Sequence, residues 1–371
     1  AGQPCGKQLI QPYSRCSYPL QQPIYSRKDF DIMSKKVSTD IAPAATRPDR
    51  MAVTVASVSK QFTQWRRKKD DGQRTGIKGL FRQEKQTVTA LDDVSFQIGR
   101  GEFVAYAGPN GAGKSTTMKL LSGMLQPTKG TISVLGMSPE KDRIALMRKL
   151  GVLFGNRTEL WWDHPVIQSF EWKKVVWDIA DQVYKRNLDM VTDLLDMVEI
   201  RGTFARELSL GQRMRADLAM MLLHSPEIIL LDEPTLGLDV VAKRQMIEFL
   251  KKINREQGVT ILVTSHDMDD LEEMARRILI ISRGKLAFDG SFDGLRDITG
   301  NLTRFTVTTD GRRPELAGCK LLGEKHGVFE FEVDMSRLPI QELLTRLSQV
   351  DGILDVEIRK APIEQVIAQI Y

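Results

Sequence analysis

The chain has 371 residues, 42% of them hydrophobic and 27% charged, which is long enough for two or three domains with buried cores. Its net charge of +5 is uneven, because residues 1–85 contain 17 Lys and Arg against 7 Asp and Glu and the remainder is net acidic. This argues against a nucleic-acid surface on the folded part, and the three cysteines (Cys5, Cys16 and Cys319) have neither metal-ligand nor disulfide spacing.

Residues 1–50 are rich in Pro, Gln, Ser and Tyr without helical or strand periodicity, which predicts a disordered tail. An organellar transit peptide, or a leader ahead of a start at Met33 or Met51, is an alternative interpretation. A strand is predicted at residues 53–58. The basic residues 63–86 are then predicted to form a loop, either simply solvated, which we favour, or in contact with anionic lipid head groups.

The next segment carries the strongest motif of the chain. An apolar run at residues 102–107 predicts a strand, and residues 115–124 predict a helix. Between them lies G-x-x-x-x-G-K-[ST], the phosphate-binding loop, in which backbone N–H groups surround phosphate oxygens. Its residues are Gly108, Pro109, Asn110, Gly111, Ala112, Gly113, Lys114 and Ser115. Lys114 supplies a charge for the β- and γ-phosphates, the Ser115 hydroxyl is suited to Mg²⁺, and Thr116 completes the predicted nucleotide-binding residues.

The rest of the chain predicts an alternating α/β fold followed by a small appendix. Residues 137–224 are mainly helical by pattern. A strand at 228–231, a helix at 240–257, a strand at 259–264 and a helix at 267–276 then alternate as in a parallel sheet, and residues 278–288 form a hairpin. Strands at 302–308, 328–333 and 353–359 and helices at 339–350 and 362–371 predict a C-terminal α+β unit.

Two carboxylates follow the apolar strand at 228–231. Neighbouring strand residues point to opposite sides, so Asp232 and Glu233 can have different roles. Asp232 is suited to the ligand shell of Mg²⁺, and Glu233 could orient or deprotonate an attacking water. Strands that end in Asp-Glu are common and usually have no catalytic role. Here the phosphate-binding loop earlier in the chain favours a catalytic role for the pair.

A second candidate anion site lies at Leu208-Ser-Leu-Gly-Gln212, directly before a predicted helix. Ser209, the Gly211 N–H and the helix N-terminus could bind phosphate oxygens. A serine at this position is more often only the cap of the helix.

These motifs occur in the order that is typical of the nucleotide-binding subunits of ATP-binding cassette (ABC) transporters. The chain resembles this family from about residue 52 to about residue 295. The resemblance implies a P-loop NTPase core with a helical subdomain. It further implies a head-to-tail homodimer that holds two ATP molecules, in which the phosphate-binding loop of one subunit faces Ser209, Gly211 and Gln212 of the other.

Further positions match the family one by one. Asp239, in Leu236-Gly-Leu-Asp239, resembles the D-loop that communicates across the dimer. His266 resembles the switch histidine that contacts the γ-phosphate; a lone histidine at a strand end would otherwise be read as a capping or surface residue. Phe62 occupies the place of the aromatic residue that stacks on adenine, with Trp65 as a competitor.

One position departs from the family pattern. The family places Gln at the end of the strand that leads to the helical subdomain, where it contacts Mg²⁺ and senses the permease. Here Gly155 is followed by Asn156, whose amide is one methylene shorter. We expect Asn156 to bind nucleotide or metal through a water, and its coupling role is open.

Four of the five tryptophans lie within residues 161–177, together with Phe170. These aromatic side chains could form the core of the helical subdomain, or a groove that receives a short cytoplasmic helix of a membrane partner. One stripe could serve both purposes, so the sequence leaves both interpretations open.

Thr158-Glu-Leu-Trp-Trp162 and the C-terminal unit resemble subunits that are paired with separately encoded permeases. The resemblance thus implies an ATP-hydrolysing subunit of an ABC exporter with a separately encoded integral membrane permease, acting peripherally on the cytoplasmic face of the cell membrane. ATP and Mg²⁺ are the expected cofactors, with Lys114, Glu233 and His266 as catalytic residues. The predicted domains are a tail (1–50), an ATPase domain (51–298, helical subdomain about 137–224) and an accessory domain (299–371). The alternative is a soluble ABC ATPase that acts on DNA or ribosomes. Two features of the sequence argue against this alternative: it contains one cassette instead of two in tandem, and it has no coiled-coil arm between the phosphate-binding loop and Ser209.

Overall fold

The structure of the chain is a computed structural model that describes residues 50–67, 83–155, 158–298, 302–335 and 337–360. All of these belong to one compact unit, Arg47–Tyr371. Within the described ranges, no helix is both long enough and apolar enough to cross a membrane. The predicted tail falls outside these ranges except for Arg50.

Both strands and helices occur in the described residues between 50 and 298. The strands are β1 (Met51–Arg67), β2 (Gln83–Gly99), β3 (Phe103–Ala107), β4 (Lys129–Val134), β5 (Leu150–Phe154), β6 (Ile228–Asp232), β7 (Thr260–Thr264), β8 (Arg277–Ser282) and β9 (Lys285–Ser291). The helices are α1 (Lys114–Leu121), α2 (Arg143–Met147), α3 (Val166–Val176), α4 (Asp181–Leu194), α5 (Leu210–Leu222), α6 (Val240–Gln257), α7 (Met268–Met274) and α8 (Phe292–Ile298).

A six-stranded sheet in the order β5-β6-β7-β3-β8-β9 forms the centre of the molecule. Its first five strands are parallel, as predicted, and β9 pairs antiparallel with β8. Both faces are covered: Val104 and Tyr106 of β3 point into one apolar core, and Ala105 and Ala107 point into the other. Continuous apolar strands are therefore required here, because a parallel sheet has no solvated face.

The sheet topology brings the predicted motifs to one edge. β7 lies between β3 and β6, and all three strands run in the same direction. The phosphate-binding loop follows β3, Asp232 ends β6, and His266 lies two residues beyond the end of β7. Ligands of open α/β sheets bind at this carboxyl edge.

A three-stranded antiparallel sheet in the order β2-β1-β4 packs beside the central sheet. It corrects the prediction of a loop over residues 63–86, because Thr63 pairs with Thr87 and Arg67 pairs with Gln83. Polar residue types at both odd and even positions of 63–67 and 83–87 hide the period of two that would identify strands. Residues 68–82, with most of the basic cluster, lie outside the described ranges, as does the lipid-contact interpretation that rests on them.

The C-terminal part contains a third, antiparallel sheet and one helix. Its elements are β10 (Leu302–Thr309), β11 (Lys320–Lys325), β12 (Val328–Asp334), α9 (Ile340–Leu347) and β13 (Ile353–Lys360), with the strand order β11-β12-β10-β13. Phe305 and Phe331 stack at 5.3 Å inside a separate core that also buries Leu343 of α9. Strand β11 was not predicted, because it is a short edge strand with three charged residues. The helix predicted at residues 362–371 lies outside the described ranges.

Candidate nucleotide-binding site

The phosphate-binding loop connects β3, which ends at Ala107, to α1, which begins at Lys114. Gly113 precedes α1 with φ 117°, a left-handed conformation that favours glycine. A Cβ atom at Gly113 would lie 2.6 Å from Leu91 Cδ2 and 2.8 Å from the Ala90 carbonyl oxygen, much closer than van der Waals contact. The loop therefore packs against β2 only with glycine at this position, which leaves a cradle of backbone N–H groups for an anion.

The other end of the loop is equally tight. A Cβ atom at Gly108 would lie 2.3 Å from the Ile281 carbonyl oxygen of β8. The turn is closed by the Ala112 N–H, which donates to the Pro109 carbonyl at 3.1 Å, and Ala112 itself is buried. Asn110 is exposed at the tip. The loop is thus held at both ends by the sheet and open at its tip.

We predict that Gly113→Ala destabilises the fold by roughly 1–3 kcal/mol and weakens ATP binding at least about tenfold, because the methyl group would displace the loop from β2. Gly111→Ala is the matched control, since Gly111 also has a positive φ of 81° but no atom within 4 Å of an added Cβ. Urea unfolding and ATP titration of both variants measure the difference. Equal losses in the two variants would mean that the close packing of the loop is unimportant.

Lys114 is a buried cation, with 7% of its surface exposed. Its Nζ donates to the Gly108 carbonyl at 2.6 Å and to the Pro109 carbonyl at 3.3 Å. Burial lowers the pKa of Lys114, and the nearby charges of Glu233 and Asp232 oppose that shift. A desolvated ammonium beside a glycine cradle is what phosphate oxygens require, so the residues present fit a polyphosphate.

Ser115 and Thr116 lie in the first turn of α1, with Ser115 exposed and Thr116 half-buried. A serine hydroxyl and the carboxylate of Asp232 supply the oxygen ligands that Mg²⁺ prefers. The donor set at this edge therefore fits Mg²⁺ held jointly by protein and phosphate.

At the end of β6, the Asp232 carboxylate and the Glu233 backbone are both hydrogen-bonded to Thr264, the last residue of β7. Thr264 Oγ1 donates to Asp232 Oδ1 at 2.6 Å, and the Glu233 N–H is 3.1 Å from both the carbonyl oxygen and Oγ1 of Thr264. Glu233 has φ 57°, which is uncommon for a residue with a Cβ atom. This strained conformation falls directly after Asp232, the last residue of β6.

His266 lies beside Glu233. His266 Nδ1 is 3.8 Å from Glu233 Oε2, and the imidazole is more exposed (56%) than the carboxylate (26%). The preceding Ser265 is buried, and its Oγ accepts from the Asp267 N–H at 3.0 Å, which fixes the backbone on both sides of the histidine. An exposed imidazole on a fixed backbone can reach a ligand while contacting Glu233.

Ser209 is the N-cap of α5 and is exposed. Its Oγ accepts from the Gln212 N–H at 3.2 Å, and Gln212 Oε1 accepts from the Ser209 N–H at 2.9 Å, so the two residues form a capping box. A Cβ atom at Gly211 would lie 3.4 Å from Ala242 Cβ, just beyond the D-loop. The structure thus shows the capping role of Ser209, and its nucleotide role remains a prediction.

Asp239 caps the adjacent helix α6, where its Oδ1 accepts from the Ala242 N–H at 2.8 Å. Phe62 is half-buried on β1, with Lys60 Nζ 5.2 Å from its ring centroid. The adenine contact predicted for Phe62 is not tested by these distances. Asn156 and the side chain of Trp65 lie outside the described residues, so their predicted roles remain predictions.

Sequence reasoning missed the residues that hydrogen-bond to the predicted site residues or to the segments that carry them. Thr264 joins Asp232 and Glu233, and Lys243 of α6 bridges Asp267 and Asp270 at 2.7 and 3.0 Å. The pairing of Asp232 with Thr264 follows from strand register, which a single sequence does not display. The sequence signal available was a threonine at the end of the strand before His266.

Comparison with known proteins agrees with this geometry. The family described as ABC transporter matches residues 91–236. The ABC transporter ATP-binding protein YhcH of Bacillus subtilis, itself uncharacterised, is 35% identical over 198 residues; the match spans 53% of this chain and 64% of that protein. A putative ABC transporter ATP-binding protein of Clostridium acetobutylicum is 30% identical over 245 residues, which are 66% of this chain and 86% of that protein.

Solved structures show the same fold. A dimeric ATP-binding cassette in a post-hydrolysis state, bound to ADP and Pi, aligns with a TM-score of 0.53 at 23% identity, over 64% of this chain and 98% of that one. The similar cassette fold and the clostridial relative, which is matched at 30% identity over 86% of its own length, lead to one conclusion. The chain belongs to the family of ABC transporter ATP-binding proteins.

Proposed function

We propose that the chain hydrolyses ATP as a head-to-tail homodimer and thereby drives a separate integral membrane permease that exports its cargo. The observation that carries the hydrolytic part is the arrangement at the sheet edge. Buried Lys114 lies in the field of Asp232 and Glu233, and Glu233 Oε2 lies 3.8 Å from His266 Nδ1. Cation, carboxylates and imidazole together provide for binding phosphate, orienting water and contacting a γ-phosphate.

Each residue at this edge has a distinct task in the proposal. Lys114 and the loop N–H groups bind the β- and γ-phosphates, and the Ser115 hydroxyl and Asp232 hold Mg²⁺, which neutralises phosphate charge when bound. Glu233 orients the attacking water and accepts its proton. His266 fixes the γ-phosphate relative to that water. Phe62 stacks on adenine, and Asn156 contacts the metal or its water.

The dimer is proposed because the resemblance implies that Ser209 and Gly211 of one chain face the phosphate-binding loop of another. Ser209 is exposed at the N-terminus of α5, a position where N–H groups favour anions, and Gly211 lies beside the D-loop that Asp239 ends. The similar post-hydrolysis cassette is dimeric. In the proposed dimer, ATP closes the interface between one phosphate-binding loop and the partner's Ser209, and hydrolysis reopens it.

A mixing experiment tests this composite site. We expect Lys114→Ala and Ser209→Arg chains to be inactive alone, the first because it binds ATP weakly and the second because the arginine blocks dimer closure. A mixed dimer contains one site in which both halves are intact, so mixing should restore ATPase activity towards half the wild-type rate. Ser209→Arg should still bind ATP as a monomer. Absence of recovery at every mixing ratio would contradict a site shared between chains.

The membrane partner is proposed to dock on the tryptophan surface, defined here as Trp161, Trp162, Trp172 and Trp177. Phe170 between them is fully buried in the core, whereas Trp161, Trp162 and Trp172 are 38%, 50% and 36% exposed. The rings of Trp161 and Trp172 lie 5.4 Å apart, and those of Trp172 and Trp177 lie 6.5 Å apart. Both interpretations of the aromatic stripe are therefore supported, and an exposed aromatic row suits a short permease helix.

The proposed export direction rests on the resemblance of Thr158-Glu-Leu-Trp-Trp162 and of the C-terminal unit to subunits that work with separately encoded permeases. Association with that permease would place the chain on the cytoplasmic face of the cell membrane. Within this proposal, residues 51–298 form the ATPase domain and residues 299–371 an accessory domain. Co-expression with a candidate permease and recovery of the chain in its detergent-solubilised complex would test the assignment.

A further inference from the structure

Asp217 is a buried carboxylate within the helix that begins after Ser209. It is 7% exposed, and the other buried residues of α5 are all apolar. Burying an ionised carboxylate is costly unless hydrogen bonds compensate for the lost water. The partners of Asp217 therefore indicate what the position is for.

Both hydrogen-bond partners of Asp217 belong to the segment that follows β5. Thr158 Oγ1 donates to Asp217 Oδ1 at 2.7 Å, and the Glu159 N–H approaches the same oxygen at 3.3 Å. The Thr158 hydroxyl also accepts from the Leu160 N–H at 3.1 Å, which shapes the segment around the contact. One carboxylate oxygen thus binds two consecutive residues to α5, and Leu160 is attached through the Thr158 hydroxyl.

The same segment is fixed to a second helix. Glu159 Oε2 pairs with Lys173 Nζ of α3 at 3.1 Å, and the side chain of Lys173 is only 4% exposed. The Lys173 ammonium also lies 4.9 Å from the ring centroid of Trp177. The segment is therefore bound to two helices. The Glu159–Lys173 ion pair attaches it to α3, and the hydrogen bonds to Asp217 attach it to α5.

The segment joins two parts of the proposed ATPase site. Three residues before Thr158, the Gly155 N–H donates to the Asp232 carbonyl at 2.9 Å, so the segment starts beside the carboxylates. On the other side, Asp217 lies about 12 Å along α5 from Ser209, at about 1.5 Å per residue. The contact of Gly155 with Asp232 and the contacts of Thr158 and Glu159 with Asp217 thus connect the carboxylate edge, along the chain, to the helix that Ser209 caps.

We infer that Asp217 is a positioning residue for ATP hydrolysis: it binds Thr158 and Glu159 to α5, so that Ser209 moves together with the segment attached to Asp232. The inference rests on the proposed function, because Ser209 acts on a nucleotide only there. Asp217 contacts no nucleotide in this account and acts through the placement of Ser209.

The electrostatics of Asp217 distinguish this role from simple stabilisation. Burial raises the pKa of Asp217 to about 6; the Thr158 and Glu159 hydrogen bonds and the charge of Arg213 oppose the shift, and the charge of Glu159 adds to it. Lys173 faces the site from α3 through its pair with Glu159. Because the pKa is higher in the folded than in the unfolded chain, ionised Asp217 lowers stability, fully above about pH 6 and progressively less towards pH 4.

Three variants of the full chain test the inference. Asp217→Ala removes the acceptor, Thr158→Val removes the hydroxyl donor, and Asp217→Asn keeps an acceptor oxygen but no charge. Asp193→Ala, at an exposed residue of α4, is the matched control. Steady-state ATPase rates, ATP affinity and urea unfolding would be measured for each variant.

We expect Asp217→Ala and Thr158→Val to lower kcat about tenfold, the effect of about 1.4 kcal/mol, with ATP affinity within about twofold of the wild type. Asp217→Asn should keep kcat within about twofold. It should also unfold at higher urea than the wild type at about pH 7.5, with a smaller difference at about pH 4.5. If Asp217→Ala does not fold, Thr158→Val carries the test.

Wild-type kcat in Thr158→Val, or in folded Asp217→Ala, would overturn the inference. So would Asp217→Asn with a defect equal to that of Asp217→Ala, because the acceptor would then be irrelevant. These outcomes leave ATP hydrolysis by the wild type intact. A wild-type chain that neither binds nor hydrolyses ATP would instead overturn the proposed function, and the inference with it.

Discussion

Glu233→Gln is expected to reduce ATP turnover by at least about a hundredfold while ATP still binds, because the amide keeps the shape of the side chain but cannot accept the proton of water. Glutamine tolerates the left-handed backbone about as well as glutamate, so φ 57° at this position adds no new strain. Phosphate release measures turnover. Size-exclusion chromatography with ATP should show accumulation of a dimer that the wild type forms only transiently.

Glu248→Gln is the control for this change, since Glu248 is an exposed carboxylate on α6. It should retain wild-type turnover. Turnover by Glu233→Gln at the rate of Glu248→Gln would remove Glu233 from the catalytic role, and the proton would then have to pass to another group at the sheet edge.

Lys114→Ala is expected to weaken ATP binding roughly ten- to a hundredfold, since a hydrogen bond to a charged group contributes about 1.5–3 kcal/mol. Lys119→Ala is the matched control, because Lys119 lies on the same helix with an exposed side chain. Calorimetric titration with Mg-ATP measures both. An ATP affinity unchanged within about twofold in Lys114→Ala would contradict the assignment of the phosphate-binding loop.

The parts of the site that were predicted from sequence are those set by local backbone or by sheet direction. Gly113 and Lys114 belong to one turn, and the glycine spacing of the motif predicts the backbone conformation of that turn. Glu233 and His266 were each identified from a motif that follows a predicted strand, and the structure shows both at the carboxyl edge of the parallel sheet. Both predictions need only the motif and the direction of the chain.

The parts that were missed depend on contacts between distant residues. Asp217 and Thr158 are 59 residues apart, and Thr264 reaches Asp232 across a strand register that no local pattern records. The extension of β1 to Arg67 was missed for a different reason, because its polar residues pair with polar residues of β2 and give no apolar alternation. The burial of Asp217 was also not predictable from its residue type, because aspartate is usually exposed.

The carbonyl contacts of Lys114 bear on the release of products. A buried ammonium left without a partner after phosphate departs would cost several kcal/mol, and that cost would slow dissociation. Here the Gly108 and Pro109 carbonyls accept from Lys114 Nζ within the loop itself. In the proposed ATPase cycle, the Lys114 ammonium would return to these carbonyl oxygens when phosphate leaves, so that product departure would leave no buried charge without a partner.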